Sequence, residues 1–220
     1  MTRAELSVEQ LLLQYGDDLF RLAYLLGGDA AVAAQLVQRA ADVLSRAGST
    51  CDINAFLAAL VAVAPPVRQR NRIPDPLLAA LARLPVAERC MLALPVLRTL
   101  DELQIPAAIT ADIAAARALR HRALHTLATE LLEPAPGDLF DHTAAPEACR
   151  PVRIALANDA VELSVDPALR GHLALCVECR VVAGHWRQCD EQIADRLRAA
   201  TRALSIPAGL VFEVRARFDP

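Results

Sequence analysis

Lysine is absent from this chain: all 23 basic residues are arginine. Arginine codons are GC-rich, so the bias reads as genome composition rather than as a binding site. Aromatic residues are scarce, at 4% against 55% for hydrophobic residues of every kind, and Ala, Leu and Val make up most of the latter. That mixture favours helix over sheet, and the predicted fold class is all-α. No uninterrupted apolar stretch reaches the roughly 18 residues of a membrane span. The longest, Ala55 to Val67, is shorter and carries Pro65 and Pro66. The opening Met1-Thr2-Arg3-Ala4-Glu5 lacks the basic-then-apolar order of a secretory signal. A cytoplasmic protein with no membrane partner is expected, and its six cysteines are then expected to be reduced. There is no surplus of positive charge either. The formal net charge is −3, which excludes nucleic-acid binding driven by bulk charge. Neither a Gly-rich phosphate loop nor a Gly-x-Ser-x-Gly elbow is found. The carboxylate pairs Asp17-Asp18 and Asp101-Glu102 fall on expected helix surfaces. With no catalytic constellation, the chain is expected not to be an enzyme.

What is present is concentrated at His172-Leu-Ala-Leu-Cys176-Val-Glu-Cys179. On a helix, residues three and four apart share a face. This spacing would aim one imidazole and two thiols at a single point, the donor set of a tetrahedral zinc site. A closed site needs a fourth ligand. If the helix continues at about 1.5 Å per residue, Cys189 lies about 15 Å beyond Cys179, and His185 points to the opposite side. Upstream, Cys149 follows His142 and belongs to a separate segment that can fold back. The expected ligands are therefore Cys149, His172, Cys176 and Cys179. Two other readings stay open: small apolar core cysteines beside a surface histidine, or a Cys-x-x-Cys redox dithiol.

Along the chain, helical apolar spacing covers 7–26, where Ser7 and Gln10 match a capping box. Gly27-Gly28-Asp29 stops that helix and starts a second over 30–46. A third begins at Cys51-Asp52-Ile53-Asn54 and ends before Pro65-Pro66, with Arg68, Arg70 and Arg72 following. Ile73-Pro74-Asp75-Pro76 reads as a stiff linker. A second helical unit spans 77–132, with a helix start at Leu84-Pro85. The loop Glu133-Pro-Ala-Pro-Gly137 leads to the candidate zinc domain, residues 142–204. The tail, 205–220, contains Leu210 to Phe218, whose partial alternation reads as a lone strand or a segment ordered by a partner. Residues 1–73 hold 7 Arg and 7 acids, 74–132 hold 6 and 6, and 133–220 hold 10 and 13, so the net charge resides in the last part. Among the remaining candidates, Cys51 and Cys90 read as core residues and Trp186 as a packing anchor between units. His121 and His125 sit four apart without a further donor nearby.

Three units in this order resemble a known arrangement. Residues 1–73, through Gln14-Tyr15-Gly16-Asp17-Asp18-Leu19-Phe20-Arg21-Leu22-Ala23-Tyr24, Gly28-Asp29, Leu36-Val37-Gln38 and the helix 54–72, resemble region 2 of extracytoplasmic-function sigma factors. Residues 77–132, through Leu84-Pro85, Glu88-Arg89, Leu100, Ile105, Ile109, Ile113, Arg117, His121-Arg122-Ala123 and Leu127, resemble the helix-turn-helix region 4. Cys149, Glu162-Leu163-Ser164, His172-Leu173, Cys176 and Cys179 resemble a zinc-binding anti-sigma domain. The likeness implies a helical bundle, a helix-turn-helix domain and a small helical zinc finger. It also implies polymerase binding through Leu36, Val37 and Gln38, and promoter contact through Arg117, Arg120 and Arg122. Inhibitor and target would be fused in one chain.

The chain departs from that pattern in several places. The helix after Gln38 has no aromatic residue for stacking on bases. Thr110 to Arg122, the candidate recognition helix, is mostly alanine, which touches a thymine methyl but reads no donor–acceptor pattern. Pro106 interrupts the preceding helix, and the balanced charge of 74–132 offers little counterion release. Two expectations follow. One is a transcription regulator that binds RNA polymerase core and promoter DNA and is held closed by a zinc-stabilised anti-sigma-like domain, with metal loss or thiol oxidation releasing it. The other is an interaction module, its DNA affinity weakened or lost, that binds polymerase or another sigma or anti-sigma factor.

Overall fold

The computed structural model describes residues 6–47, 50–65, 75–93, 96–97, 112–132, 145–158 and 166–218. Arg68, Arg70, Arg72, Leu100, Asp101-Glu102, Ile105, Pro106, Ile109, Thr110, the 133–137 loop, His142 and Glu162-Leu163-Ser164 lie outside these residues. Within them the chain is helical, apart from a two-residue antiparallel pairing of Leu6–Ser7 with Thr50–Cys51.

Local chemistry sets the helix ends. Helix α1, Val8–Gly27, opens with the expected capping box: Ser7 Oγ accepts from the Gln10 amide, and the Gln10 side chain accepts from the Ser7 amide. It closes at Gly28, whose φ of 81° suits glycine and places its amide on the Tyr24 carbonyl at 2.7 Å. Asp29 then accepts from the Val32 amide at 2.7 Å and starts α2, Ala30–Ala47. Asp52 caps α3, Ile53–Val63, through the Ala55 amide. Two later helices share one device. In Asp75-Pro76 and Asp166-Pro167, the aspartate accepts from two backbone amides while proline occupies the first turn, where no amide is needed. They open α4, Pro76–Arg83, and α8, Pro167–Leu175. Between these come α5, Val86–Ala93, α6, Ile113–Leu131, and α7, Arg150–Asn158, the last preceded by a single 3₁₀ turn over Glu147–Cys149. The 25-residue α9, Val177–Thr201, and α10, Ala208–Phe218, complete the chain.

Burial divides these helices into two clusters. The larger runs from Val8 to Val214: α1 packs on α2, α4 and α5, α2 on α3, and α5 on α6. The boundary expected at 73–77 therefore separates helices that share one core. Arg89 fastens this join. It is 2% exposed, and its guanidinium donates to the Leu26 carbonyl at the end of α1 and to the Pro65 carbonyl at 2.6 Å. Burial lowers its pKa from the usual arginine value. The smaller cluster holds Ala145, Cys149, Val152, Leu156, Cys179, Val182 and Ala183. Helix α9 belongs to both, its start to the smaller and Trp186 to Leu197 to the larger.

The tail corrects an expectation. Residues 208–218 are not a strand but helix α10, because Leu210 and Val214, four apart, are buried while Phe212 stays exposed. The alternation that suggests a strand is overridden by packing on α1 and α2. The turn before it lies close to α1: a Cβ at Gly16 would come within 3.0 Å of Ile206, and the Ile206 amide donates to Asp17 at 2.9 Å. Among the described residues, no single helix is long and apolar enough to cross a membrane.

Candidate metal centre

Four side chains from three elements converge in the smaller cluster. Cys149 ends the 3₁₀ turn before α7, His172 lies in α8, Cys176 sits between α8 and α9, and Cys179 lies in the first turn of α9. Their ligand atoms all fall within 4.8 Å of one another. The Cys149 and Cys176 sulfurs are 3.8 Å apart, and the cysteines are free. That separation is too long for a disulfide. It matches the edge of a tetrahedron whose centre lies about 2.3 Å from each sulfur, an edge of about 3.8 Å. His172 Nε2 is buried and has no hydrogen-bond partner among the described residues, an orphaned donor–acceptor atom that a metal would satisfy. The group can hold a metal ion, and three thiols with one imidazole are a donor set compatible with zinc.

The geometry arises differently from the single helix that the spacing suggests. Cys176 has φ −88° and ψ 110°, extended backbone that ends α8 and begins α9. Its amide still donates to the His172 carbonyl at 2.7 Å and its carbonyl accepts from the Arg180 amide, so the break leaves few backbone groups unpaired. Arg180 also donates to the Ala174 carbonyl at 2.6 Å, satisfying one of the last carbonyls of α8. The break swings Cys176 toward Cys149 while Cys179 follows on the new helix axis.

Electrostatics at the site are uneven. The Cys179 amide at the start of α9 holds the Cys176 thiol below the usual range; burial opposes it, and the Cys149 and Cys179 thiols and the Glu178 amide add to the lowering. This is the stabilisation that helix N-termini give thiolates. Burial pushes the Cys179 thiol up, and Cys149 and Cys176 add to that; a hydrogen bond from the Arg153 guanidinium opposes it. Sequence reasoning missed Arg153. The available signal was its place four residues after Cys149, on the same side of the turn.

Cys189 and His185 do not join the cluster. Cys189 is buried farther along α9, where burial and Asp190 raise its thiol pKa, and His185 is exposed. The buried Cys90, in α5, has its pKa raised to about 12 by burial and is a core residue. Trp186 links the units as expected, stacking on His121 with ring centroids 4.0 Å apart. Burial, with His125 and Arg120 adding, lowers the His121 pKa to about 4.

The three candidate DNA-contacting arginines lie on α6. Arg120 pairs with Asp190 of α9, and Arg122 approaches Glu88 of α5 at 3.5 Å. Arg117 is likewise engaged within the protein. Of the residues assigned to polymerase binding, Leu36 and Val37 are 2% and 0% exposed; they are core side chains of α2 and present no surface in this conformation. Gln38 alone of the three faces outward, and it donates to Glu213 of α10 at 2.5 Å. No protein-family model, no curated protein and no solved structure matches this chain.

Proposed function

We propose that the chain is a transcription regulator, a sigma-factor-like protein whose C-terminal part is a zinc-binding, anti-sigma-like clamp. One observation carries the reading. A single C-terminal segment meets both faces that the family resemblance assigns to function: α9 ties Arg120 through Asp190, and α10 ties Gln38 through Glu213. Zinc is the metal of choice because three thiolates and one imidazole in tetrahedral array suit it, and a thiolate-rich set disfavours magnesium or calcium. Four protein ligands leave no position for substrate, so the site is structural and the protein acts by binding rather than by catalysis. The partners are RNA polymerase core and promoter DNA.

A second reading, a degenerate interaction module that no longer reads DNA, draws on the same arginines. Arg120 and Arg122 are committed to carboxylates of this chain, and the described part of α6 is rich in alanine. Reversing two charges separates the readings. The double variant Asp190→Arg, Glu213→Arg replaces both contacts with repulsion or loss. It is expected to capture polymerase core that the wild-type chain leaves unbound, and to retard promoter DNA only under the first reading. Capture without retardation supports the module. A double variant that captures no more polymerase than wild type overturns both.

A further inference from the structure

The join between α6 and α9 turns on one ring contact. His121 of α6 stacks on the buried Trp186 of α9, with centroids 4.0 Å apart and planes 24° from parallel. Trp186 stands where α9 passes from the smaller cluster into the larger, and Ile193 and Leu197 follow it into that core. A proton on this imidazole needs a negative partner, because burying an unpaired cation is costly. The elements packed around it carry no uncommitted carboxylate. On α6, Arg117, Arg120 and His125 lie within about one turn of His121. On α9, Asp190 is held by Arg120, Cys189 is a buried thiol, and His185, Arg187 and Glu191 are exposed. Helix α5 brings Glu88, which Arg122 approaches at 3.5 Å, and Arg89, which is turned to the Leu26 and Pro65 carbonyls. Helix α4 brings Arg83, paired with Glu130 of α6, and α7 carries Arg150 and Arg153 and no acid. The indole face itself attracts a cation. Burial outweighs that attraction, with His125 and Arg120 adding, and lowers the His121 pKa to about 4.

We propose that the His121–Trp186 stack is an acid-released latch: the neutral imidazole holds α9 on α6, and a proton on it parts the two helices. Opening also draws Asp190 away from Arg120 and uncovers that stretch of α6. The latch stands on the packing alone; its effect on Arg120 as a promoter contact rests on the clamp reading. By linkage, His121 is neutral in the closed form and charges more readily in the open one, where its pKa returns toward the ordinary 6.5. Closure is therefore strongest above pH 6.5 and weakens as the pH falls below that value, and the loss levels off near pH 4. Within that window the closed-to-open ratio falls by up to about tenfold per pH unit.

Trp186 is the only tryptophan in the chain, so its emission reports the latch without a label. The full-length wild type and its His121→Phe and His121→Gln variants are titrated from about pH 7.5 to 4. Metal content is followed in parallel, since acid also protonates thiolates, and the chains are compared where it is equal. Wild-type emission is expected to move to longer wavelength as the pH drops below 6.5. Amide protection over residues 193–197, corrected for intrinsic exchange, is expected to fall about 10–30-fold between about pH 7.5 and 5. His121→Phe keeps a flat ring on the indole and takes up no proton, so both readouts stay near their neutral values. His121→Gln, without a ring, is less protected at every pH but flat across the same window. His185→Gln, a change at the exposed histidine beside Trp186, follows the wild-type curve. If His121→Phe fails to fold, the flat response of His121→Gln carries the measurement. A wild-type curve that the non-titrating variants reproduce overturns the proposal. So does protection that rises in acid, the result expected if the indole stabilised the cation. Failure of Asp190→Arg, Glu213→Arg to capture polymerase overturns the clamp reading and leaves the latch standing.

Discussion

The two apolar clusters are built on different terms. The larger buries Phe56 and ranks of leucine from α1, α2 and α3 at 2% exposure or less, and it draws on nearly every helix outside α7 and α8. Among the described residues the smaller fully buries only three aliphatic side chains of any size, Val152, Leu156 and Val182, with Leu169 and Leu173 partly buried against them, and two of its seven buried members are cysteines. A core of that size does not offset the conformational entropy of ordering the segments around it. Small domains meet such a deficit with covalent or metal cross-links, and here the four convergent ligands stand where further leucines would be needed. One part of the molecule is held by solvent exclusion, and the other gathers a ligand set that could hold a metal ion.

Removing the metal should produce the widest separation between them. Structural zinc binding is worth about 10–16 kcal/mol in small peptides, so chelation, or Cys179→Ser, is expected to unfold 145–183 outright while α1, α2 and α3 persist. Hydrogen exchange reads this directly, and uniform protection after chelation would erase the distinction. Next in size is Phe56→Ala, a deletion in the larger core that should cost about 3–5 kcal/mol. Denaturant unfolding of the bulk helices is expected to shift to lower concentration, with metal content per chain unchanged under native conditions. Metal lost in parallel would mean one cooperative unit instead of two. The smallest effect is expected from Arg89→Met. It strands the Leu26 and Pro65 carbonyls, at about 1–3 kcal/mol for each buried unpaired group, but it also removes a charge whose own burial is unfavourable. The unfolding midpoint of the larger cluster should fall modestly and zinc affinity should not change. A rise in the midpoint would show that the buried guanidinium costs more than its two contacts return.

Much of the larger cluster was legible in the chain because its signals are local. Ser7 with Gln10, Gly28 and Asp52 each announce a helix end within four residues, and the structure places helix ends there, whereas Asp75-Pro76, which reads as linker, proves to be the cap and first residue of α4. The metal quartet was legible in composition, yet by an incomplete argument. The spacing of His172, Cys176 and Cys179 suggested one helix face, whereas the observed convergence depends on a break at Cys176. No residue at that junction is a proline or glycine, so the usual punctuation is missing. The tail was misread for a related reason. Val211, Phe212 and Val214 carry strand preference, and only contact with α1 and α2, nearly 200 residues away in the chain, selects the helix. The pairings Arg120–Asp190 and Gln38–Glu213 have no local signature at all.

The uninterrupted run of α9 from one cluster into the other has a kinetic consequence. If the coordinated end comes apart, the helix unzips from Val177 one hydrogen bond at a time, since propagation and fraying are incremental once a helix is nucleated. The front meets its first strong obstacle at Trp186, clasped on His121, with the Arg120–Asp190 pair one turn behind it. Unravelling should therefore halt there, leaving a frayed arm of about two and a half turns on a body that stays folded. The rate at which a metal-free chain is cut by a protease between Val177 and His185, set against the rate beyond Trp186, would mark where that front comes to rest.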